Sequence, residues 1–405
     1  MSELWASRPY RLLFLAGFLS ELGTFISETA MLMRIYELVG HQKQYLGITQ
    51  GIFLLMMILG TLLGGVFGER QAKRQILLGC EIARIPILLT MVAFTNSPWV
   101  LIICNGWVAF YSGAFNPTRQ ALMNALLPKT LLPKANSVFS MSFAFLHAVG
   151  PVLGGLLYGY AQSLSPVLFL DLATYCVGIA LLLKLSNPTP PPASQPLQAS
   201  ESSFFNDLKA GFQLVRERPE FFWIISRCIL ASVALGIVIP LLLPMTTEVL
   251  LLPESSYGYL LGTFGLGGAV GSLFLPRVLN KFTVENVLRG VVLCEGLTLW
   301  LWATTALPAL SFPFAFGYGA LLFARITTQL NFVSIRLPDA FNARANALFD
   351  LAMVVPNVAG AGIVGFAGAT LKTEQFLKGT AIIVCISVAV SYALEWRLRR
   401  GGVVS

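Results

Sequence analysis

The sequence has few charged residues and few of the residues that build metal or disulfide sites. Only 11% of the 405 residues are Asp, Glu, Lys or Arg, against about 25% in soluble domains, which excludes an ordinary water-facing surface. Hydrophobic residues make up 56%, so an intrinsically disordered chain is excluded as well. The six cysteines include no CxxC pair and there are only two histidines, which disfavours a zinc site or disulfide framework and predicts buried free thiols. We therefore expect no metal and no cofactor.

The excess of basic residues does not indicate a nucleic-acid partner. The net charge of +8 is spread over short segments between apolar runs, with no basic stripe and no interleaved aromatic residues. We interpret these residues as signals of membrane topology.

Long apolar runs are what the chain has in abundance. Each is about 20 residues or longer, the length of a transmembrane helix, and none alternates as a barrel strand would. The predicted spans are 11–35, 46–68, 76–95, 99–121, 136–160, 166–185, 221–247, 256–278, 287–306, 311–333, 345–370 and 376–396. The sequence therefore predicts an all-α membrane protein with twelve transmembrane helices.

The distribution of basic residues orients these helices. With the N-terminus in the cytoplasm, 20 of the 27 Lys and Arg fall on the cytoplasmic side and 4 on the outer side. Short cytoplasmic loops carry such an excess in membrane proteins. Both termini are therefore predicted to be cytoplasmic, in a multi-pass protein of the cell membrane.

A break in composition divides the chain into two halves. Residues 186–203 contain five prolines and no Lys or Arg, which is typical of a flexible linker. Apolar residues at helical spacing follow and predict a short amphipathic helix on the membrane surface. The predicted domains are a six-helix bundle at 1–185, the linker and amphipathic helix at 186–220, and a second six-helix bundle with a short tail at 221–405.

The two halves repeat each other. Residues 134–139 (KANSVF) and 344–349 (RANALF) precede equivalent helices and lie 210 residues apart. Gly150 and Gly155 are related to Gly360 and Gly365 by the same offset, and Cys80-Glu81 is echoed by Cys294-Glu295. Internal duplication of a helix bundle around a central binding site is typical of secondary transporters.

A charged loop joins the second and third spans. Residues 64–74 read GGVFGERQAKR and contain the candidate gating residues Glu69, Arg70, Lys73 and Arg74. A carboxylate at the membrane edge is able to pair with Arg70, or with Arg119 at the end of the fourth span, and to release it as the halves move. The alternative is a loop that serves topology alone.

These motifs resemble the Major Facilitator Superfamily. Residues 64–74 are similar to its G-x-x-x-D-R-x-G-R-R/K loop, with Glu69 and Ala72 as departures. The segments 115–122 (FNPTRQAL), 150–155 (GPVLGG) and 169–173 (FLDLA) resemble an exporter branch that includes macrolide-efflux and enterobactin-exporter-like proteins. The resemblance implies proton-driven export of small molecules by two rocking six-helix bundles. The helix-5 residues Gly150, Pro151, Gly154 and Gly155 serve either gating or close helix packing.

Six ionisable residues lie in the cytoplasmic half of the predicted spans. An ionisable group within a span costs several kcal/mol unless it is paired or hydrated. Glu81 and Arg84 are three residues apart and are expected to pair along one helix face. The six form either a structural ion-pair network or a cytoplasmic gate. They are Glu81, Arg84, Arg227, Glu295, Arg325 and Asp350.

Three ionisable residues lie deeper, and no basic partner is evident for them in the sequence. Glu21 and Glu28 are seven residues apart, on one face of the first span. His147 is central in the fifth span. We predict that Glu28, and secondly Glu21 or His147, carries a transported proton or binds a cationic substrate group; the alternative is a structural hydrogen bond. Asp171 is predicted to cap the start of the sixth span.

The function predicted from the sequence is secondary active transport. We expect proton-coupled efflux of a small amphipathic molecule by a monomer in the lipid bilayer, with sodium as the alternative ion. An importer of the same fold and a non-transporting scaffold or sensor remain alternatives. An enzyme is disfavoured because the sequence shows neither a clustered acidic metal site nor a His-rich loop.

Overall fold

A computed structural model describes residues 2–70, 72–128, 130–185, 219–336 and 339–400. After a short helix at Ser2–Ala6, this part of the chain forms twelve long helices. They are α1 (Arg8–Leu38), α2 (Gln44–Arg70), α3 (Lys73–Ala93), α4 (Pro98–Leu126), α5 (Leu132–Ala161), α6 (Ser165–Leu183), α7 (Pro219–Pro244), α8 (Ser256–Leu279), α9 (Val284–Thr304), α10 (Pro308–Arg336), α11 (Asp339–Ala367) and α12 (Thr373–Arg400). A π-helical turn, Met245–Val249, continues α7.

Local sequence signals set where several helices begin and end. Proline occupies one of the first two positions of α1, α4, α5 and α6, where its missing N–H leaves no bond unmade. The side chain of Thr283 accepts a hydrogen bond from the amide of Asn286 at the start of α9. Gly40 and His41, both with φ of +63°, turn the chain after α1.

Each predicted span overlaps one of these helices. Ten of the helices, α1–α10, are long and apolar enough to cross a membrane within the described residues. In α11 the apolar stretch described is shorter, Leu351–Ala367. The chain is thus an all-helical, multi-pass membrane protein, and the full count of twelve spans remains a prediction. The predicted linker and amphipathic helix lie outside the described residues, except for 219 and 220, which begin α7.

The helix pairings confirm the repeat. In the first half α1 packs on α5 and α6, α2 on α4, and α3 on α4 and α6. The second half repeats each pairing with six added to the helix number. The halves meet where α5 crosses α8 and where α2 crosses α11, and these two crossings are equivalent under the repeat.

Glycines allow the backbones to approach closely at both crossings. We call the end of the bundle where α1 starts the terminal end, and the end where α1 stops the distal end. In the distal half of the bundle, a Cβ atom added to Gly155 of α5 would lie 2.7 Å from the carbonyl oxygen of Ser255 and 3.2 Å from the Cα of Gly258. At the equivalent crossing Gly365 of α11 lies against Ile48 of α2. These contacts favour close packing as the role of the glycines at both crossings.

The other helix-5 motif glycines pack within the first half. Gly150 lies against Phe25 of α1, and Gly154 lies against the Ile26 carbonyl and the Thr29 side chain. Pro151 lies within α5, and its carbonyl oxygen is the neighbour of Gly258 in α8. The motif therefore fixes α5 against both α1 and α8.

The apolar core changes along the bundle. From the middle to the distal end, one cluster of buried residues includes members of both halves, such as Ile26, Tyr158, Leu241 and Leu260. Towards the terminal end the described clusters are separate. One contains only first-half residues, from Leu4 to Leu185, and the other only second-half residues, with Leu275, Val287 and Ala324 buried. The halves therefore share a core at the distal end.

The prediction of buried cysteines was wrong for three of the five that the structure describes. Cys80 and Cys104 are buried, but Cys176, Cys294 and Cys385 are exposed on the surface of the bundle. In a membrane protein this surface faces lipid, which is as apolar as the interior. Hydropathy alone therefore does not distinguish a buried thiol from a lipid-facing one.

We expect Gly155→Ala to lower the thermal stability of the purified protein in detergent. The new Cβ would press on the backbone of α8, and overpacking typically costs about 1–3 kcal/mol. The matched control is Gly362→Ala in α11, because a Cβ there meets nothing within 4 Å. Alanine at that position should be neutral or stabilising by about 0.5–1 kcal/mol. Equal melting temperatures for the two variants would contradict the packing role of Gly155.

Candidate functional site

A cavity of about 410 Å³ lies between the two halves, which we call the central cavity. Both halves line it, through α1–α5 on one side and α7, α8, α10 and α11 on the other. Its wall is mostly aromatic and aliphatic, as ligand pockets usually are. The aromatic residues include Phe25, Phe53, Phe115, Phe143, Tyr257, Phe264 and Phe323.

Glu28 is the acidic group of the central cavity that has no described partner. Both Glu21 and Glu28 line this cavity from α1, as their spacing of seven predicts. No ion pair or hydrogen bond joins the Glu28 carboxylate to any residue that the structure describes. Tyr257 of the second half lines the same cavity. Glu28 is thus placed to meet a cation, a hydrogen-bond donor or a proton.

Glu21 has a basic partner that was not evident from the sequence. Its carboxylate accepts a hydrogen bond from Arg119 of α4 at 2.9 Å. Arg119 is only 6% exposed, and its guanidinium lies over the ring of Phe139, 4.4 Å from the centroid. Helix α4 continues past Arg119 to Leu126, so Arg119 lies about two turns before the end of the helix.

The charged loop between α2 and α3 is described only in part. Glu69 and Arg70 end α2, but their side chains lie outside the described residues, so their proposed pairing stays a prediction. Lys73 begins α3. Arg74 donates hydrogen bonds to the carbonyls of Leu182 and Leu183, both at 2.8 Å. Arg74 thus binds the last carbonyls of α6, which an arginine at a helix end commonly does.

His147 forms part of the cavity wall. Its ring lies 4.4 Å from that of Phe25 and 4.2 Å from that of Phe143. Its Nδ1 lies 3.1 Å from the carbonyl oxygen of Phe143. Two aromatic rings and a backbone hydrogen bond hold the imidazole ring, which favours a structural role over proton or substrate binding. As predicted, His147 lies near the middle of its helix.

A buried polar network occupies the side of α1 that faces α3 and α6. Ser20 donates to the Glu81 carboxylate at 2.7 Å, and Arg84 pairs with Glu81 at 3.6 Å, which confirms the predicted i, i+3 pair. The Arg84 guanidinium also lies over the ring of Tyr175, 5.2 Å from the centroid. The Tyr175 hydroxyl shares a 2.8 Å hydrogen bond with Thr24. Hydroxyl groups of α1 and α6 thus lie beside the Glu81–Arg84 pair.

Asp171 does not cap a helix. The sixth helix begins at Ser165, so Asp171 lies almost two turns inside it and is 1% exposed. Its carboxyl group accepts a hydrogen bond from Ser27 of α1 at 2.5 Å. Sequence reasoning missed this contact because 144 residues separate the two partners.

The second half has its own buried pair. Arg325 of α10 donates to Glu295 of α9 at 2.9 Å, and both side chains are fully buried. The side chains of Arg227 and Asp350 lie outside the described residues. Among the described residues, four of the six predicted charges therefore form one pair in each half. Separate buried pairs favour a structural ion-pair network over a cytoplasmic gate.

A polar cluster at the distal end was missed from the sequence. Glu248, in the π-helical turn after α7, accepts hydrogen bonds from Tyr36 at 3.1 Å, Lys43 at 3.1 Å and Thr373 at 2.5 Å. Tyr36 and Lys43 belong to the first half and Thr373 to the second. We call these four residues the distal latch. Beside it, His41 lies 2.8 Å from Glu254, whose pKa is raised by burial, although the hydrogen bond to His41 opposes this.

The described residues contain no group of three or more His, Cys, Asp or Glu side chains arranged to hold a metal ion.

We expect Glu295→Gln to destabilise the protein strongly in thermal or denaturant unfolding. The change removes the negative charge beside the fully buried guanidinium of Arg325, and breaking a buried pair typically costs about 3–5 kcal/mol. Glu374→Gln is the matched control, because Glu374 pairs with Lys378 on an exposed helix surface. An exposed pair contributes about 1 kcal/mol or less. Equal losses of stability would show that burial does not set the strength of the Glu295 pair.

We expect Glu248→Gln to accelerate hydrogen exchange of the backbone at 245–255. Hydrogen bonds to a charged group contribute about 1.5–3 kcal/mol, and each 1.4 kcal/mol lost changes an opening equilibrium roughly tenfold. Lys43→Gln should have a smaller effect, because Tyr36 and Thr373 still donate to Glu248. The two changes together should have less than additive effects, since the residues are in contact. Full additivity would contradict a shared latch.

Comparison with known proteins agrees with this architecture. A sequence model of the Major Facilitator Superfamily matches residues 13–361. The enterobactin exporter EntS of Shigella flexneri is 23% identical over 378 residues, which cover 92% of this chain and 88% of that protein. The corresponding protein of Escherichia coli O127:H6 is 23% identical over 386 residues, with the same coverage of both chains.

Solved structures show the same fold. The nucleoside transporter NupG matches with a TM-score of 0.73 and 15% identity over 98% of this chain and 100% of its own. A bacterial homologue of the lysosomal transporter Spinster, inward-facing and unoccupied, matches with a TM-score of 0.75 and 15% identity over 95% and 96%. With its duplicated bundle, central cavity and family match over most of its length, the chain belongs to the Major Facilitator Superfamily of membrane transporters.

Proposed function

We propose that this protein is a secondary active transporter that exports a small amphipathic molecule in exchange for protons. The observation that carries the proposal is the central cavity, which both halves line and into which Glu28 projects without a described partner. A transporter needs a binding site that each side of the membrane reaches in turn. A cavity at the junction of two rocking halves satisfies that need.

The distribution of basic residues supports an orientation. The 20 to 4 excess favours a terminal end in the cytoplasm of the cell and a distal end outside. In this orientation the shared core, the two crossings and the distal latch all close the outer side. The conformation is then the one that receives substrate from the cytoplasm. Rocking the halves apart at the latch would release substrate outside.

The wall of the central cavity favours a substrate with an apolar body and a hydrogen-bonding or cationic group. Its aromatic rings offer apolar surface and faces that attract cations. Glu28 provides negative charge. Asn116 and Asn357 also line the cavity, and each has a buried Oδ1 with no hydrogen-bond partner among the described residues. These oxygens are suited to accept hydrogen bonds from a substrate.

Export is supported by the relatives named enterobactin exporters, at 23% identity. Coupling is supported by the position of Glu28, because one carboxylate cannot hold a proton and neutralise a cation at the same time. A proton that enters under the membrane potential supplies about 2.3 kcal/mol per 100 mV. Binding of that proton would release the substrate group from Glu28.

We expect Glu28→Gln to abolish substrate-coupled proton flux in proteoliposomes that contain a pH-sensitive dye. The probes are ethidium, erythromycin and enterobactin, each added under an imposed pH gradient. Glu28→Asp is the matched control, since it keeps the carboxyl group and should retain coupled flux. Glutamine at position 28 should reduce the flux to that of protein-free liposomes.

Four outcomes would change the proposal. Coupled flux that persists in Glu28→Gln would exclude Glu28 as the proton carrier. Proton movement in the same direction as the substrate would indicate an importer. Transport driven by a sodium gradient, and not by a proton gradient, would identify sodium as the coupling ion. The absence of any probe-dependent transport under either gradient would favour a scaffold or sensor.

A further inference from the structure

The mechanism proposed above leaves one buried acid unused. Asp171 lies between α6 and α1, close to the backbone of Gly23, where a Cβ would collide with its Oδ1 and with Thr174. Its carboxyl group forms no ion pair with any residue that the structure describes. Its hydrogen-bond partners are two hydroxyl groups, Ser27 at 2.5 Å and Thr174 at 3.4 Å.

The charges around Asp171 do not balance if all the nearby acids are ionised. The titratable or charged residues around Asp171 are Glu28 from α1, Glu81 and Arg84 from α3, and Tyr175 from α6. From α4 the neutral Asn105 contributes to the same region. Arg84 pairs with Glu81 at 3.6 Å, so one guanidinium stands against three carboxyl groups. An unneutralised buried charge costs several kcal/mol. A proton on Asp171 removes this cost at Asp171, whereas Glu28 reaches the wider central cavity.

Among the described residues, only neutral hydroxyl groups contact the carboxyl oxygens of Asp171. Thr174 directs its hydrogen to the carbonyl of Asp171 at 2.7 Å and makes a longer contact of 3.4 Å with Oδ1. Ser27 donates to Oδ2 at 2.5 Å. These hydroxyl groups carry no positive charge, so they do not neutralise an ionised Asp171.

A small cavity joins Asp171 to Glu28. It has a volume of about 10 Å³, close to the space that one water molecule requires. Thr24, Ser27 and Asn105 contribute polar groups to its lining, together with the two acids. We call it the side pocket. Glu28 and Thr24 line both the side pocket and the central cavity, and of these two residues Glu28 is the one with a carboxyl group that exchanges protons.

We propose that Asp171 is a second proton-binding residue of this transporter, neutral in the distal-closed conformation, and that it exchanges its proton with Glu28 through one water molecule in the side pocket. In the exchange the Asp171 O–H bond breaks and its proton passes to the water. A different proton of that water forms the O–H bond on Glu28. The water is regenerated and the negative charge moves from Glu28 to Asp171, beside Arg84. This inference rests on the proposed transport function.

The test is infrared spectroscopy of the purified full-length protein in lipid at pH 7. The C=O stretch of a protonated carboxyl group is separate from the absorbance of carboxylates. We expect this band in the wild type and its loss in Asp171→Asn. Glu21→Gln is the matched control, since it also replaces one carboxyl group by an amide. Because Glu21 is paired with Arg119, its replacement should leave the band in place.

A second variant covers the case in which Asp171→Asn does not fold. Ser27→Ala keeps the acid but removes its shortest hydrogen bond, so it should shift the frequency of the same band. The proposal is overturned if the wild type shows no such band at pH 7, if Asp171→Asn retains it, or if Ser27→Ala leaves its frequency unchanged. A purely structural Asp171 that is ionised would give the first of these results.

The transport assay then separates the two proposals. In the proteoliposomes described above, Asp171→Asn should transport the probe with fewer protons per probe molecule than the wild type, and Glu21→Gln should keep the wild-type ratio. An unchanged ratio would overturn the role of Asp171 in coupling. The infrared measurement uses no substrate, so absent coupled flux in a wild type that shows the band would contradict only the proposed function.

Discussion

Close approach of helix backbones where the two halves cross is the contact on which the rest of this structure depends. Lipid tails are as apolar as leucine side chains, so two helix bundles in a membrane gain little by burying apolar surface against each other. They associate through close packing, and small residues permit it. Here Gly155 meets Gly258, and Gly365 meets Ile48 at the equivalent crossing. Because the repeat generates the two crossings as a pair, the halves are joined along two lines near one end and separated by a cavity in the middle.

Ionisable groups are arranged around that cavity according to the energy of placing charge in an apolar medium. Glu295 and Arg325 neutralise each other in the second half, as Glu81 and Arg84 do in the first. Glu21 is held by Arg119. Pairing of this kind leaves Glu28 as the cavity acid without a described partner. A paired carboxylate resists protonation, so the proton exchange that we propose is confined to the acids that have no basic partner.

The sequence was sufficient to predict contacts between residues that are close in the chain, and features that follow from helical spacing or from the internal repeat. The helices, the duplication, the Glu81–Arg84 pair and the shared face of Glu21 and Glu28 follow from hydropathy, from an offset of 210 residues and from helical geometry. Contacts between distant segments could not be predicted. Ser27 and Asp171 are 144 residues apart, and Lys43 and Glu248 are 205 apart. Their pairing depends on how each helix is rotated about its axis, and that rotation is set by packing rather than by the pattern of one segment.

Helix α1 connects the central cavity to the buried Asp171 because its two polar faces have different neighbours. Glu21, Phe25 and Glu28 line the central cavity. On the adjacent face Ser20, Thr24 and Ser27 hydrogen-bond to α3 and α6, and Ser20 and Thr24 also reach the cavity. A small rotation or shift of α1 as the halves rock would therefore change the surroundings of Glu28 and the hydrogen bond to Asp171 together. Gly23 lets Asp171 lie against the α1 backbone, so the carboxyl group is in direct contact with the helix that would move. A proton shared between the two acids would thus respond to the same motion that opens and closes the cavity, which is the physical requirement for coupled transport.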